Sequence, residues 1–189
     1  MATERAIIGI DPGLDGALAR FWPASGRLQI ADMPTLKIGK GQSEKRSIDE
    51  YALARLVDDW AADAACIWLE LVTAMPSIPG ADGQRRSMGA TSAFNFGRSV
   101  GLIRGVCVAN FLTIHDVTPG SWKKALKVSA AKDHARHRAG VLLPRHGGLW
   151  PLKKHHGRAD AALIALYGSQ QTLSGVFPPV AQAEAEASA

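Results

Sequence analysis

A β-branched run that ends on a carboxylate and turns back at once constrains this chain more than any other feature. Ala6-Ile7-Ile8-Gly9-Ile10-Asp11 reads as a short strand, and Pro12-Gly13-Leu14-Asp15-Gly16 is turn chemistry that returns the chain as Ala17–Trp22. Ser25-Gly26 turns it again before Leu28-Gln29-Ile30, giving a meander of three strands. Residues 34–47 are rich in Gly, Lys, Ser and Gln and read as a mobile loop. Ser47 then suits a helix N-cap, with Glu50 three residues on to complete a capping box. Tyr51, Leu53, Leu56, Val57 and Trp60 follow at helical spacing. Cys66-Ile67-Trp68-Leu69-Glu70 is a second apolar strand that ends on a carboxylate. Residues 74–91 carry no periodicity but hold several Pro, Gly and Arg, as functional loops do. Beyond them come a helix from about Ser92 to Ala109, a strand at Phe111–His115 and a helical turn from Thr118-Pro119 to Leu126. A basic helix over about Ala130–Leu142 and a last helix from about His156 to Gln171 complete the order. This is an α/β succession with a mixed sheet.

Composition narrows the function classes. No apolar run approaches the roughly 20 residues needed to span a bilayer, and the first apolar segment lacks a signal-peptide layout. The two cysteines, Cys66 and Cys107, lie inside apolar runs and do not make a disulfide framework, which favours a reducing compartment. A formal charge of +5 is modest, but its distribution is not. Residues 85–160 hold 14 Lys and Arg against 3 Asp and Glu, whereas residues 1–84 hold 8 against 12. A basic half on a near-neutral chain suits a polyanion partner, although a solvated basic face would look the same.

Three carboxylates stand where sheet and helix ends can converge. Asp11 and Glu70 end two strands, and Asp160 lies near the start of the last helix with His156 four residues before it, on the same face. Clustered like charges need a cation, and hard oxygen ligands suit Mg²⁺ or Mn²⁺. Two such ions about 4 Å apart would activate water and stabilise the leaving oxygen at a phosphodiester. Individually, Asp11 also suits a plain turn, Glu70 a solvated rim, and His156 a surface base. Asp160, between Ala159 and Ala161 in an apolar helix, is costly to bury without a partner.

Ile8-Gly9-Ile10-Asp11-Pro12-Gly13, Leu69-Glu70 and Lys153-Lys154-His155-His156-Gly157-Arg158-Ala159-Asp160-Ala161-Ala162-Leu163-Ile164-Ala165 together resemble the RuvC-type Holliday junction resolvases. The likeness runs from about Ala6 to Gly168, and the Lys-His-His-Gly-Arg-Ala-Asp run is similar to the chloroplast branch. The resemblance implies an RNase H-like fold, a five-stranded sheet with three antiparallel strands and then two parallel ones, flanked by helices. It implies a homodimeric crossover junction endodeoxyribonuclease that makes paired symmetric cuts with two Mg²⁺ or Mn²⁺ ions and leaves 5′-phosphate ends. Asp11, Glu70, His156 and Asp160 would be its catalytic and metal-binding residues. Many bacterial members place an acidic residue or histidine three positions before the last aspartate; here that position is Gly157, so the fourth ligand is His156 or missing.

On the same resemblance, Thr118-Pro119-Gly120-Ser121-Trp122-Lys123-Lys124 resembles a Pro-x-x-x-Lys stretch near the active site, and Lys132 a lysine at a helix start. Arg85, Arg86, Lys123, Lys124, Lys132, Arg136, Lys153 and Lys154 are then the expected DNA contacts. Met75, Arg85 and Arg86, in the loop after Glu70, are candidates to probe the open junction centre. Trp122 is either a core anchor or a nucleobase platform. Gly97, Gly101 and Gly105 recur once per turn of a helix, each at a cost of about 1 kcal/mol relative to Ala, which calls for close approach by the chain's own sheet or by a second subunit. Residues 1–172 are expected to form one nuclease domain, with 173–189 a disordered tail. The first strand starts within a few residues of Met1, so a bacterial or phage-infected cytoplasm is expected, with no membrane partner. Another RNase H-like nuclease, acting on branched DNA or RNA–DNA hybrid, and a non-catalytic junction-binding protein are the competing readings.

Overall fold

The computed structural model describes residues 4–39, 41, 44–71, 78–79, 85–86, 89–129 and 133–174, with 78–79 and 85–86 described by their backbone alone. Strands β1 (Ala6–Asp11), β2 (Ala17–Trp22) and β3 (Arg27–Asp32) form the meander. A short hairpin of β4 (Thr35–Ile38) and β5 (Lys45–Ile48) precedes helix α1 (Glu50–Ala61) and strand β6 (Ala64–Glu70). Two-residue strands β7 (Ile78–Pro79) and β8 (Arg85–Arg86) pair with each other before the long helix α2 (Ala90–Ala109). Strand β9 (Ile114–Val117) and helices α3 (Pro119–Ala125), α4 (His134–Leu142) and α5 (His156–Leu173) follow.

The main sheet has the order β3-β2-β1-β6-β9. β1 and β3 lie antiparallel to β2, while β6 lies parallel to β1 and β9 parallel to β6. This is the RNase H-like mixed sheet. The parallel pairs require crossovers, and α1 and α2 provide them.

Strand periodicity divides the core between the two faces of the sheet. Ile8, Ile10, Ile67 and Leu69 pack with Leu53, Val57 and Trp60 of α1 and Ile103 of α2. Ile7, Cys66 and Trp68 pack on the other face with Trp122 of α3 and the run Ala159–Ala165 of α5. Asp11 continues the parity of Ile7 and Gly9, and Glu70 that of Cys66 and Trp68. Both carboxylates therefore belong to the α5 face.

The stretch 34–47, which reads as a loop, contains the β4–β5 hairpin instead, bent through Gly39 and Gly41 at positive φ. Only Ile48 of its two strands is buried, so no apolar alternation marks them in the sequence. Ser47 consequently lies in a strand, and Asp49 caps α1, its Oδ1 accepting from the Ala52 amide at 3.0 Å. The fifth strand starts at Ile114 because Phe111 adopts a left-handed conformation (φ 56°). Trp122 is fully buried, which settles it as a core anchor.

Helix α5 reaches the sheet through Gly9. A Cβ added there would lie 2.3 Å from both the Ala161 carbonyl oxygen and the Ala165 amide nitrogen. Backbone meets backbone at this point, and no rotamer change can relieve the clash. Gly9→Ala should therefore lower the unfolding free energy by about 3 kcal/mol, at the upper end of overpacking costs, measured by denaturant titration followed by circular dichroism.

Candidate metal centre

The β1–β2 turn holds Asp11 in place through a local bond, the Gly13 amide donating to Asp11 Oδ1 at 3.2 Å. Glu70, at the end of the neighbouring strand, accepts at Oε1 from the Trp122 indole N–H at 2.9 Å. Because Trp122 is packed on all sides, its N–H fixes one oxygen of Glu70. Helix α5 starts at His156, and its i, i+4 spacing puts His156 and Asp160 on one face. Arg158 pins that start in rotation: its guanidinium binds both carboxylate oxygens of Asp32 at 2.5 Å and the Leu149 carbonyl at 3.1 Å.

Asp11, His156 and Asp160 each bring a ligand atom to within 4.8 Å of the others. Glu70 is not in that trio but stands close enough for its charge to act on Asp160, and Asp11's on Glu70. Burial pushes all three carboxyls up from their ordinary values. For Asp160 the value reaches about 7, from burial first and then from the Asp11 charge, with Glu70 adding to it and Lys123 opposing it. At Asp11, burial is offset by the Gly13 amide, His156 and Lys123. At Glu70 the main offset is the Trp122 hydrogen bond. Asp160 Oδ1 is buried without a hydrogen-bond partner. An orphaned carboxylate oxygen beside a second carboxylate and an imidazole is a donor set suited to a divalent cation.

Gly157 is bare for a steric reason. A Cβ at Gly157 would lie 2.3 Å from the Asp15 carbonyl oxygen and 3.1 Å from Asp11 Oδ2. The helix start presses directly on the β1–β2 turn, leaving no room for a side chain three positions before Asp160.

Among the expected DNA contacts, Lys123 is half-buried on α3 and its charge acts on all three carboxylates. Its ammonium also lies 5.0 Å from the centre of the Trp122 ring. Lys124 is exposed on the same helix, and Lys153 and Lys154 are exposed in the 3₁₀ turn that leads into α5. Arg136 has a bracing role: it pairs with Asp133 at 3.2 Å and donates to the Trp150 and Pro151 carbonyls at 3.3 and 3.4 Å. It also lines, with Lys123, Ser129, Asp133, His156 and Asp160, a cavity of about 170 Å³ beside the trio. Arg85 and Arg86 form β8, with only their backbone described; Met75 and Lys132 lie outside the described residues. The Trp122–Glu70 bond and the proximity of Asp133 were not legible in the sequence. Both depend on where α3 and α4 pack, and their one local sign is the indole beside Lys123.

No family model matches the chain, and no curated protein matches it in sequence. Among solved structures, T. thermophilus RuvC in complex with a Holliday junction substrate aligns over 90% of this chain and 96% of its own, at 16% identity and a TM-score of 0.57. A further Thermus thermophilus RuvC structure aligns over the same shares at 18% identity and 0.51. The chain has the fold of RuvC. At these identities the likeness is one of fold, and the site must be argued from its own residues.

The raised Asp160 carboxyl makes a stability prediction with a definite sign. As pH rises from strongly acid values, the unfolded chain releases this proton first, near 3.8, while the folded chain holds it to about 7. The metal-free fold therefore loses stability between those values and stays weakened above them. Asp160→Asn is neutral throughout. It should raise the unfolding free energy in EDTA at pH 8, by at most about 4 kcal/mol at 1.36 kcal/mol per pH decade, and change it little at pH 4. Thermal and denaturant melts at the two pH values check this.

Proposed function

We propose that this chain is a RuvC-type resolvase: a homodimeric endodeoxyribonuclease that resolves four-way DNA junctions by paired, symmetric, metal-dependent cuts. The observation that carries the reading is the convergence of Asp11, His156 and Asp160 within 4.8 Å, beside Glu70, where the inner strands β1 and β6 of an RNase H-like sheet end. The T. thermophilus RuvC that shares this fold was solved with a Holliday junction substrate, which supports junction DNA as the partner.

Asp11, Glu70, Asp160 and His156 would hold two divalent cations, Mg²⁺ or Mn²⁺. Such cations, when bound, make water a competent nucleophile near neutral pH and screen charge that builds on the phosphate. The chain's own residues do the rest. Trp122 keeps Glu70 oriented, and Arg158 holds the rotation of α5, so that His156 and Asp160 face Asp11. Lys123 offsets the repulsion among the carboxylates and, with Lys124, Lys153 and Lys154, neutralises phosphates approaching the site. His156, exposed at the rim, offers a ring nitrogen as a ligand or for the transfer of a proton. The products would be a 5′-phosphate and a 3′-hydroxyl.

Two cuts on two strands call for two sites related by a two-fold axis. The α2 face supports a second copy as the neighbour. Cβ atoms added at Gly97, Gly101 or Gly105 would meet nothing within 4 Å among the described residues, so the five-stranded sheet does not account for these glycines. Phe94 and Val108 extend the same face and are 71% and 61% exposed. Gly101→Leu should leave the fold intact and shift the protein from dimer to monomer in sedimentation at micromolar concentration.

A synthetic four-way junction tests the activity itself. The unaltered protein should cut it with Mg²⁺ or Mn²⁺ into nicked duplexes, and Asp11→Asn should bind it in low salt with Ca²⁺ but cut it at least 100-fold more slowly, the scale of a lost catalytic group. Binding without cutting under either metal would favour a non-catalytic junction-binding protein. Faster cleavage of RNA–DNA hybrid than of the junction would favour another RNase H-like nuclease.

A further inference from the structure

The expected DNA contacts all lie in residues 85–160, yet a groove on another part of the surface draws its charge partly from the acidic half of the chain. It runs between the β4–β5 hairpin and the first turns of α2, encloses about 650 Å³, and is lined by Lys45, Arg46, Arg98, Asn95, Phe96 and Ile38 among others. It carries three cations, and no carboxylate is among its lining residues. Pro12 and Leu14 of the β1–β2 turn are among its lining residues, and Pro12 follows Asp11 directly, so part of the groove lies against the turn that carries Asp11.

The groove is a built feature rather than a gap between loops. Arg46 donates to the Leu14 carbonyl at 2.6 Å and to Asp15 Oδ1 at 2.7 Å, locking β5 against the β1–β2 turn. Arg98 reaches across from α2 to Ser47 Oγ at 3.3 Å. Lys45 is exposed on the hairpin, with no hydrogen-bond or ion-pair partner among the described residues. Ile38, 54% exposed, gives the hairpin wall an apolar surface, and Phe96 faces it from α2. Three cations beside apolar and aromatic surface match the chemistry of a nucleic-acid strand, which offers phosphates to the cations and sugars or bases to the apolar groups.

We propose that this groove binds the sugar–phosphate backbone of the junction strand as it leaves the metal trio, with Lys45 and Arg98 on its phosphates and Phe96 against its sugars or bases. The inference rests on the junction-resolving reading and adds to it a second contact surface, on the hairpin. It would make the hairpin a register device: a strand held here can place only one of its phosphodiesters at Asp11.

The test uses the full chain carrying Asp11→Asn, so that binding is measured without cutting, and a four-way junction titrated over a range of salt. Lys45→Ala and Arg98→Ala should each weaken junction binding and lower the slope of log affinity against log salt by about 1, as loss of one phosphate contact does. Arg55→Ala, which removes an exposed charge from α1 outside the groove, should keep the slope of its parent and sets the scale for a bare change in net charge. A second measurement does not depend on charge. Ser92→Cys places a thiol in the groove wall while both native cysteines stay buried, and a photoactivated aryl azide on it should cross-link to the junction strand next to the cut site. Slopes equal to that of Arg55→Ala together with no cross-link, on a protein that still binds the junction, would overturn the groove. No junction binding even by the unaltered protein would instead remove the functional reading, and the groove with it.

Discussion

The closeness of α5 to β1 is the constraint on which the rest of this structure depends. Two glycines permit it at two heights. Gly9 lets the Ala161–Ala165 backbone lie directly on the strand, and Gly157 lets the helix start press on the β1–β2 turn. Ala161 and Ala165 sit where α5 lies directly on Gly9, while Leu163 and Ile164 of the same helix fill the core beside that contact. What the approach achieves is electrostatic. It carries Asp160 and His156 to Asp11, against the repulsion of buried like charges, and the packing of a whole helix holds them there.

That arrangement is stable only in company. Burial raises the carboxyls of Asp11, Glu70 and Asp160, and the described cation that acts on all three is Lys123. One lysine against three carboxylates leaves a net negative pocket with an unbonded oxygen at Asp160. The surrounding surface has the opposite sign, with Lys124, Lys153 and Lys154 exposed beside it. The modest total charge of +5 thus conceals two opposed local fields, a negative pocket and a positive surface around it. Both lie at the same end of one small sheet, where β1 and β6 stop.

Much of this was legible in the residues themselves. The Asp11 and Glu70 strand ends could be read because the β-branched run and the apolar run stop at carboxylates. The His156–Asp160 pair could be read because helical periodicity is strict over four residues. The β4–β5 hairpin could not, since a ribbon exposed on both sides shows no alternation, and its Lys, Ser and Gln imitate a loop. Asp49 displaced Ser47 as the cap because the hairpin claims Ser47 for a strand. Trp122 offered two roles to a reader of the sequence; burial decided for the core, and the indole N–H then became the partner of Glu70.

Local chemistry determined the residue types and their spacing: carboxylates at strand ends, a histidine one helical turn from an aspartate, a basic stretch of chain, and glycines where no side chain fits. These follow from short-range geometry, which neighbouring residues specify among themselves. Which of the groups meet was decided only by the fold. Asp11 and Asp160 are 149 positions apart, and they are neighbours because a parallel crossover and a low-seated helix bring them together. The same holds for the glycine face of α2, whose periodicity announced a close approach but not by what. Among the described residues that face meets nothing, because the sheet is covered by the opposite side of the helix, through Ile103 and Cys107.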